Sequence, residues 1–422
     1  MKTRSKLLLS FCALVVAMFS MSIVAFATDE LQKPGTVTGL KQVDASTSSI
    51  EVEWTADITP DCRYEVWLST TGAADSFVKK SGDYGTTSPD YYISGLSAGA
   101  TYYVKVIAYT YDYTNSLYAD NYSVTIPVVT APNGTDNIKQ TGATKNSVTL
   151  SWDKVPGATG YYIYDDYYSS SDVPKLLATT KTNSVTIKNL NSKNEYNFYV
   201  YAYAQAGSFV ARSSSYDYFY SSNVRFIPSA VNAKSIKATS SYSASKSLYF
   251  EWDEVNNVDG YQVQVNVHNK SKSVFKKTLT SSYSTYVDAK NIAYSKWHKA
   301  KVRAYVNING AKKYGSWSAF SYIAHQPEVI SAKQVGSKKQ VKVKWDTISG
   351  STNYTVYMST KQKSGYKKVG TTKKTTLTVS KIGKTKLKKN KTYYVYVIAN
   401  KKVGKTTYSS PATWTWNFKL KK

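Results

Sequence analysis

The residue types that most often do chemistry in proteins are scarce in this 422-residue chain. Its three histidines, His268, His298 and His325, do not share a spacing typical of metal ligation. Paired carboxylates occur at Asp165 and Asp166, inside a tyrosine-rich stretch where a solvated strand end is the simpler interpretation. No Gly-x-Ser-x-Gly turn precedes a helical pattern, and no glycine-rich phosphate loop is found. We therefore expect no catalytic activity, no metal site and no cofactor.

The cysteines give little scope for redox chemistry. Cys12 lies in an apolar N-terminal run, and Cys62 is the other cysteine. If the N-terminal run is removed on export, Cys62 is the one cysteine left and cannot form an intramolecular disulfide. Secreted animal proteins of this size usually carry several bridges. This usage favours a bacterial origin. We expect Cys62 to be a half-buried small apolar side chain beside Tyr64.

The start of the chain has the pattern of an export signal. Lys2, Arg4 and Lys6 precede an apolar run over residues 7–27, and polar residues follow. This predicts a signal peptide over residues 1–27 and a secreted or extracellular protein. An uncleaved anchor stays as the alternative, because the run is long enough to cross a bilayer. After cleavage we expect no transmembrane segment.

The elements that would position any functional residue repeat about every hundred residues. Tryptophan marks each repeat, and each tryptophan closes an alternating pattern of the kind Ile50, Val52, Trp54, which predicts a half-buried strand. A second strand follows and opens with tyrosine. Later in three of the repeats an apolar residue is followed, six positions on, by another tyrosine and an alternating strand. The marking residues are Trp54, Trp152, Trp252 and Trp345, with the later tyrosines Tyr102, Tyr196 and Tyr393.

These residues resemble four tandem fibronectin type III domains. The resemblance implies an all-β chain of immunoglobulin-like β-sandwiches, joined in a string after the signal peptide. The expected domains cover residues 34–131, 132–227, 228–326 and 327–422, and are called units one to four below. The resemblance also implies that the four tryptophans lie in the cores and that Tyr102, Tyr196 and Tyr393 form tyrosine corners. Unit three departs from the pattern, because His298 occupies the corner position.

Charge rises steadily along the chain. The net charge is −7 for residues 29–131, +2 for unit two, +9 for unit three and +21 for unit four, within a total of +28. A module at +21 attracts polyanions. The lysines are spread over predicted strands, so we expect a charged face and not a disordered arm. The candidate polyanion-binding residues lie in the loop before the Tyr393 corner and in the turn after the strand that follows it. They are Lys384, Lys386, Lys388, Lys389, Lys391, Lys401 and Lys402.

The 39 tyrosines are the second unusual feature. Tyrosine is a good strand former, and its amphipathic ring also binds sugars and partner proteins. Unit two is richest, and its candidate ligand-contacting aromatics are Tyr167, Tyr168, Tyr216 and Tyr218.

Two functions remain open from the sequence. One is a non-catalytic secreted or cell-surface protein for adhesion or envelope contact, whose unit four associates with an anionic cell-wall polymer. The other is a carbohydrate-binding accessory protein that holds a polysaccharide on tyrosine-rich faces. Other surface proteins are further candidate partners. A solubilising lysine surface is the plain alternative to polymer binding. Sequence-specific nucleic-acid binding is not expected, because unit four has no arginine and nothing resembles a recognition helix.

Overall fold

The structure is a computed structural model. It describes residues 31–112, 117–165, 174–239 and 247–421. The predicted signal peptide lies outside the described residues, as do Tyr167 and Tyr168 of the candidate aromatics. In the described part of the chain the regular elements are strands and three short 3₁₀ turns at Ala74–Ser76, Ser221–Asn223 and Ala233–Ser235.

Units one and two share one strand plan. The strands of unit one are β1 (Lys41–Ala45), β2 (Ser49–Glu53), β3 (Arg63–Ser69), β4 (Val78–Lys79), β5 (Asp90–Ser94), β6 (Thr101–Asp112), β7 (Leu117–Tyr122) and β8 (Ile126–Val129). Those of unit two are β9 (Lys139–Ala143), β10 (Val148–Ser151), β11 (Gly160–Asp165), β12 (Lys175–Thr180), β13 (Ser184–Ile187), β14 (Phe198–Ala206), β15 (Phe209–Arg212) and β16 (Asp217–Phe219).

Units three and four follow the same plan. The strands of unit three are β17 (Lys237–Ala238), β18 (Ser247–Glu251), β19 (Gly260–Val267), β20 (Ser273–Leu279), β21 (Tyr286–Lys290), β22 (His298–Ile308), β23 (Ala311–Tyr314) and β24 (Ser321–Ile323). Those of unit four are β25 (Val329–Gln334), β26 (Val341–Trp345), β27 (Asn353–Ser359), β28 (Lys367–Thr372), β29 (Thr376–Val379), β30 (Lys381–Ile382), β31 (Thr385–Lys386), β32 (Thr392–Val403), β33 (Thr406–Ser409) and β34 (Trp416–Lys419).

Each unit is a sandwich of two antiparallel sheets. In unit one the small sheet has the order β1-β2-β5 and the large sheet the order β4-β3-β6-β7, with β8 also paired to β6. The other units repeat this order, and unit four adds the hairpin β30-β31. The predicted domain boundaries fall in the connections after β8, β16 and β24. The inward residues of both sheets form one apolar core in each unit.

A tryptophan and a tyrosine meet at the centre of every core. The tryptophan that closes the second strand packs edge-on or tilted against the tyrosine that opens the third, with ring centroids 5.1–5.6 Å apart. The tyrosine hydroxyl then accepts a hydrogen bond from a backbone N–H a few residues upstream, for example from Ile348 to Tyr354 at 2.9 Å. This bond fixes the loop between the two strands. The four pairs are Trp54–Tyr64, Trp152–Tyr161, Trp252–Tyr261 and Trp345–Tyr354.

Candidate functional site

The predicted corner tyrosines form their hydrogen bonds in three units. The hydroxyl of Tyr102 accepts from the backbone N–H of Ser97 at 2.9 Å, and that of Tyr196 accepts from Asn191 at 2.8 Å. In unit four, Tyr393 accepts from the N–H of Lys388 at 2.7 Å. The last bond positions a lysine-rich loop, because Lys388 lies in the middle of the predicted polyanion-binding stretch.

Unit three closes its corner differently. His298 is buried, and its Nδ1 has no hydrogen-bond partner among the described residues, so it does not reproduce the tyrosine bond. Burial lowers the pKa of His298 to about 4, and the neighbouring His325 contributes in the same direction. His325 is fully buried, with Nε2 2.8 Å from the carbonyl oxygen of Ser247. These two histidines are therefore neutral core residues at neutral pH.

The residue before His298 joins units three and four. Trp297 is fully buried within the apolar core of unit four, although it belongs to unit three by sequence. Its backbone N–H donates to the carbonyl of Ser349 at 3.1 Å, and its indole Nε1 donates to Oγ of Ser351 at 2.9 Å. The backbone of Lys296 forms a parallel bridge with Ser349. The two units thus share part of one core.

A lysine-lined groove lies at the edge of unit four. It has a volume of about 590 Å³ and lies between the hairpin β30-β31, the start of β28 and the corner before β32. Four lysines and several hydroxyl groups line it, and no carboxylate is among the lining residues. We call this surface the lysine groove. Its charged residues are Lys367, Lys386, Lys388 and Lys391.

The structure divides the predicted basic residues into groups. Lys386, Lys388 and Lys391 line the lysine groove, and Lys367 of β28 joins them, although the sequence did not single it out. Lys384 and Lys389 are exposed beside them.

Lys401 and Lys402 are not in the turn after the last long strand, where the sequence pattern had placed them. They lie within β32, because that strand runs on to Val403. Lys401 is half-buried at the junction with unit three: its Nζ donates to the carbonyl of Gly350 at 2.9 Å and lies 5.7 Å from the ring centroid of Tyr322. Burial lowers its pKa.

Basic residues far outnumber acidic ones in unit four, by 23 to two. Ion pairs join Lys41 to Glu53, Lys79 to Glu65 and Arg225 to Asp259, all outside unit four. Lys333 and Lys342 even lie directly opposite each other on neighbouring strands. Like charges in that position destabilise a sheet. The surface of unit four is therefore an uncompensated positive field.

Unit two carries a continuous layer of tyrosines on the outer side of its large sheet, called the tyrosine face below. Neighbouring rings are in contact, with centroids 4.4–6.4 Å apart. Arg212 lies 4.5 Å over the ring of Tyr201. Tyr216, Tyr218 and Tyr220 are the most exposed members, at 42–50%. The face consists of Tyr162, Tyr164, Tyr199, Tyr201, Tyr203, Tyr216, Tyr218 and Tyr220.

The remaining chemical candidates are structural where they are described. Cys62 is half-buried against the core of unit one, and burial raises its pKa. Asp165 ends β11 and accepts a hydrogen bond from the N–H of Asn197 at 3.1 Å, while Asp166 lies outside the described residues. Within the described ranges no group of three or more His, Cys, Asp or Glu side chains could hold a metal ion. No helix in that part of the chain is long and apolar enough to span a membrane.

Part of the chain matches a known domain family. Residues 130–216 match the family model of the fibronectin type III domain. Units one, three and four repeat the strand plan of this matched fibronectin type III domain. The predicted fold class, an all-β string of fibronectin type III-like sandwiches, is confirmed. Tandem modules of this type are consistent with a non-catalytic contact role.

Two curated proteins share parts of the sequence. The human receptor-type tyrosine-protein phosphatase H is 29% identical over 185 residues, which are 40% of this chain and 16% of that protein. Chitinase A1 of Niallia circulans is 34% identical over 135 residues, which are 29% of this chain and 18% of that protein. The chain thus spans less than a fifth of the length of either relative.

Two solved structures of tandem fibronectin type III domains also align with the chain. The FN1–FN3 domains of chicken CNTN1 align at 16% identity, with 69% of this chain and 99% of that chain covered and a TM-score of 0.26. A two-domain segment of chicken tenascin aligns at 16% identity, with 44% and 99% covered and a TM-score of 0.26.

Proposed function

We propose that this chain is a secreted, non-catalytic contact protein of a bacterial surface or matrix, and that unit four retains it on anionic envelope polymers. The observation that carries this proposal is the lysine groove. Four lysines and the hydroxyl groups of Ser359 and Thr392 converge there without a carboxylate. Ammonium and hydroxyl groups are donors that a phosphate or carboxylate accepts.

The charge gradient supports the same orientation. Unit four at +21 is drawn to a polyanion, whereas the segment 29–131 at −7, which contains unit one, is repelled by it. A chain held by its basic end therefore projects units one and two away from the polymer. Those units are then free to contact other proteins or polysaccharides.

Two variants distinguish binding by the lysine groove from binding by net charge alone. The groove variant replaces Lys367, Lys386, Lys388 and Lys391 with glutamine in the full mature chain. The control variant replaces four exposed lysines of the opposite sheet and its turn, Lys333, Lys338, Lys342 and Lys344. Both variants lose the same charge.

Binding to purified anionic cell walls is then measured at low salt. We expect the groove variant to bind roughly tenfold more weakly, about 1.4 kcal/mol, and the control to change much less. Equal losses in the two variants would show that net charge alone drives binding. No binding by the unmodified chain at low salt would contradict the proposal.

A second candidate function is carbohydrate binding by the tyrosine face, which Tyr216, Tyr218 and Tyr220 expose to solvent. The partial similarity to a protein named chitinase supports a polysaccharide ligand class. Aromatic stacking persists in about 1 M salt, where the Debye length is about 3 Å, whereas charge-driven binding is lost. We expect alanine at these three positions to abolish high-salt retention on a polysaccharide. Alanine at the exposed Tyr84, Tyr92 and Tyr283 is the matched control, and equal behaviour of the two variants would exclude this function.

A further inference from the structure

A row of cations runs along the long strand β22 of unit three. Lys299, Lys301 and Arg303 alternate with the inward residues Ala300 and Val302, so their side chains share the outer face of the large sheet. Successive members of such a row are about 6.6 Å apart, because each residue of a strand advances about 3.3 Å. This is an ordered series of charges, unlike the lysines of a loop.

Aromatic rings hold each cation in place. Lys299 Nζ lies 4.8 Å from the ring centroid of Phe320, and Lys301 Nζ lies 4.5 Å from that of Trp317. The guanidinium of Arg303 stacks 3.9 Å over the ring of Tyr314. All three cations are half-buried.

Arg303 is held by polar contacts as well. Its Nε and Nη2 both donate to Oε1 of Gln262, at 2.9 and 2.6 Å. Because these side chains are already ordered, an anion that binds them meets less loss of rotamer entropy than it would at free lysines.

The row continues into unit four. Edge strand β24 of unit three lies against edge strand β33 of unit four, where the rings of Tyr322 and Tyr408 are 5.1 Å apart. Lys299 is the cross-strand partner of Tyr322, and Lys401 of unit four lies over the same ring. The junction around Trp297 fixes the two units, so Lys401 extends the row at a set position. We call Arg303, Lys301, Lys299 and Lys401 the cation track.

No carboxylate interrupts the large sheets on which the track lies. The described strands of the large sheets of units three and four contain no Asp or Glu, whereas those of unit one contain Glu65, Asp112 and Asp120. The track therefore has nothing on its own sheets that would neutralise it. Burial and the neighbouring Arg303 also lower the pKa of Lys301, so an anion placed there would relieve an unfavourable charge.

We propose that the cation track is a binding site for a linear polyol-phosphate polymer that lies across units three and four. The inference rests on the proposed function, for which it names the ligand class and the path. A phosphate–polyol backbone carries one negative charge per repeat, and its extended three-carbon bridge has a span similar to the spacing of the track. Lysine and arginine are the side chains that proteins use to bind phosphates.

The rings of the track argue against stacking ligands. A cation lies over one face of each of Trp317, Phe320 and Tyr314, so that face is not an open platform on which a base or sugar ring stacks. The track presents charge to a ligand and leaves the rings as supports. This favours a polymer recognised through its phosphates over a single-stranded nucleic acid.

The test uses the full mature chain and poly(glycerol phosphate) as the probe. The track variant carries Lys299→Met, Lys301→Met and Arg303→Gln, changes that keep much of the packing on the rings. The charge-matched control carries Lys234→Gln, Lys237→Gln and Lys290→Gln, which lie off the large sheet of unit three. A third variant, Lys299→Arg with Lys301→Arg, keeps the charges. Thermal melting verifies that each variant is folded.

We expect the track variant to bind the polymer about tenfold more weakly and with a shallower salt dependence, since fewer phosphates are neutralised. The control and the arginine variant should stay within about twofold to threefold of the unmodified chain, since they keep the phosphate contacts. Equal weakening in the track and control variants would overturn the inference and leave the proposed function standing. Failure of the unmodified chain to bind at low salt would contradict both. Tighter, track-dependent binding of single-stranded DNA would show that the ligand class is wrong.

Discussion

Nε1 of Trp297 in unit three donates a hydrogen bond of 2.9 Å to Oγ of Ser351 in unit four. The indole that makes this bond is fully buried among core residues of the fourth sandwich. A side chain contributed by one module is therefore part of the interior of the next. The stability of unit four depends on the preceding module.

Truncation of Trp297 should destabilise the joined units. Removing a buried tryptophan usually costs about 3–5 kcal/mol, whereas Ser351→Ala should cost about 1 kcal/mol through the lost hydrogen bond. Urea-induced unfolding of the full chain measures both effects. Trp416→Ala is the matched control, because that tryptophan is 42% exposed. A cost for Trp297→Ala no larger than the cost for Trp416→Ala would refute the shared core.

Acid should weaken unit three through His298. Burial lowers its pKa to about 4, whereas an unfolded histidine titrates near 6.5. The unfolded state therefore binds the proton first. The contribution of His298 to stability is complete above pH 6.5 and is lost progressively down to pH 4, by about 3 kcal/mol. Burial lowers the pKa of His325 as well, so it acts in the same direction.

Urea midpoints at pH 7 and pH 4.5 measure this effect. His298→Phe keeps a ring in the core without a titrating group, and should reduce the difference between the two midpoints. Asp346 acts in the opposite direction, because burial raises the pKa of its carboxyl. The folded state binds this proton more tightly than the unfolded state, so Asp346 favours folding as the pH falls. An unchanged pH dependence in His298→Phe would show that other groups control acid sensitivity.

The hydroxyl of the tyrosine that opens the third strand should stabilise the folded state. Tyr354→Phe leaves the buried N–H of Ile348 without its partner, and we expect a loss of about 1–3 kcal/mol in the free energy of unfolding. Tyr366→Phe is the control, because its hydroxyl bonds the exposed carbonyl of Gln362. That change should stay within about 0.5 kcal/mol. Equal costs would mean that the hydroxyl of Tyr354 does not secure the loop.

Added salt should stabilise the chain. Unit four has a net charge of +21, and within residues 327–421 no lysine forms an ion pair, so its lysines repel one another. Salt screens this repulsion. We expect the melting temperature to rise between about 10 mM and 150 mM salt, where the Debye length falls from about 30 to 8 Å. The groove variant should show a smaller rise, and a melting temperature that falls with salt would contradict this account.

The thiol of Cys62 should react slowly. Burial raises its pKa, and the thiolate is the nucleophile. At pH 8 iodoacetamide should label Cys62 of the folded chain more slowly than it labels free glutathione. In urea the two labelling rates should be similar. Labelling of the folded chain as fast as glutathione would show that the thiol is exposed and activated.

The fold was predictable because its signals are local and repeated. Alternating apolar residues such as Val341 and Val343 indicate which face of a strand is buried. The same pattern occurs in all four units, which removes the ambiguity of a single short pattern. The tyrosine corners were implied by the resemblance to fibronectin type III domains.

The candidate surfaces were predictable only in part. The sequence placed Lys386, Lys388 and Lys391 near one another because they are adjacent in the chain. It did not bring Lys367 to them, since the contact between β28 and the hairpin β30-β31 is set by how the sandwich folds. Tyr216 and Tyr218 were selected, but the other members of the tyrosine face became visible only when strands β11, β14 and β16 were aligned in register.

The position of Trp297 was missed for a similar reason. Trp297 precedes His298, the residue at the corner position. A sequence pattern considered one repeat at a time assigns every apolar residue to the core of its own repeat. The rings that hold Lys299 and Lys301 were not predictable either, because Phe320 and Trp317 lie in the connection between β23 and β24.

Modular proteins of this kind are usually pictured as beads that evolution can duplicate, delete or exchange one at a time. The tryptophan that crosses from unit three into unit four does not fit that picture. Recombination at the boundary near Pro327 would expose the Trp297 indole of unit three and leave a cavity in the core of unit four. Exchange of units three and four together should therefore preserve the packing that exchange of either one alone would break.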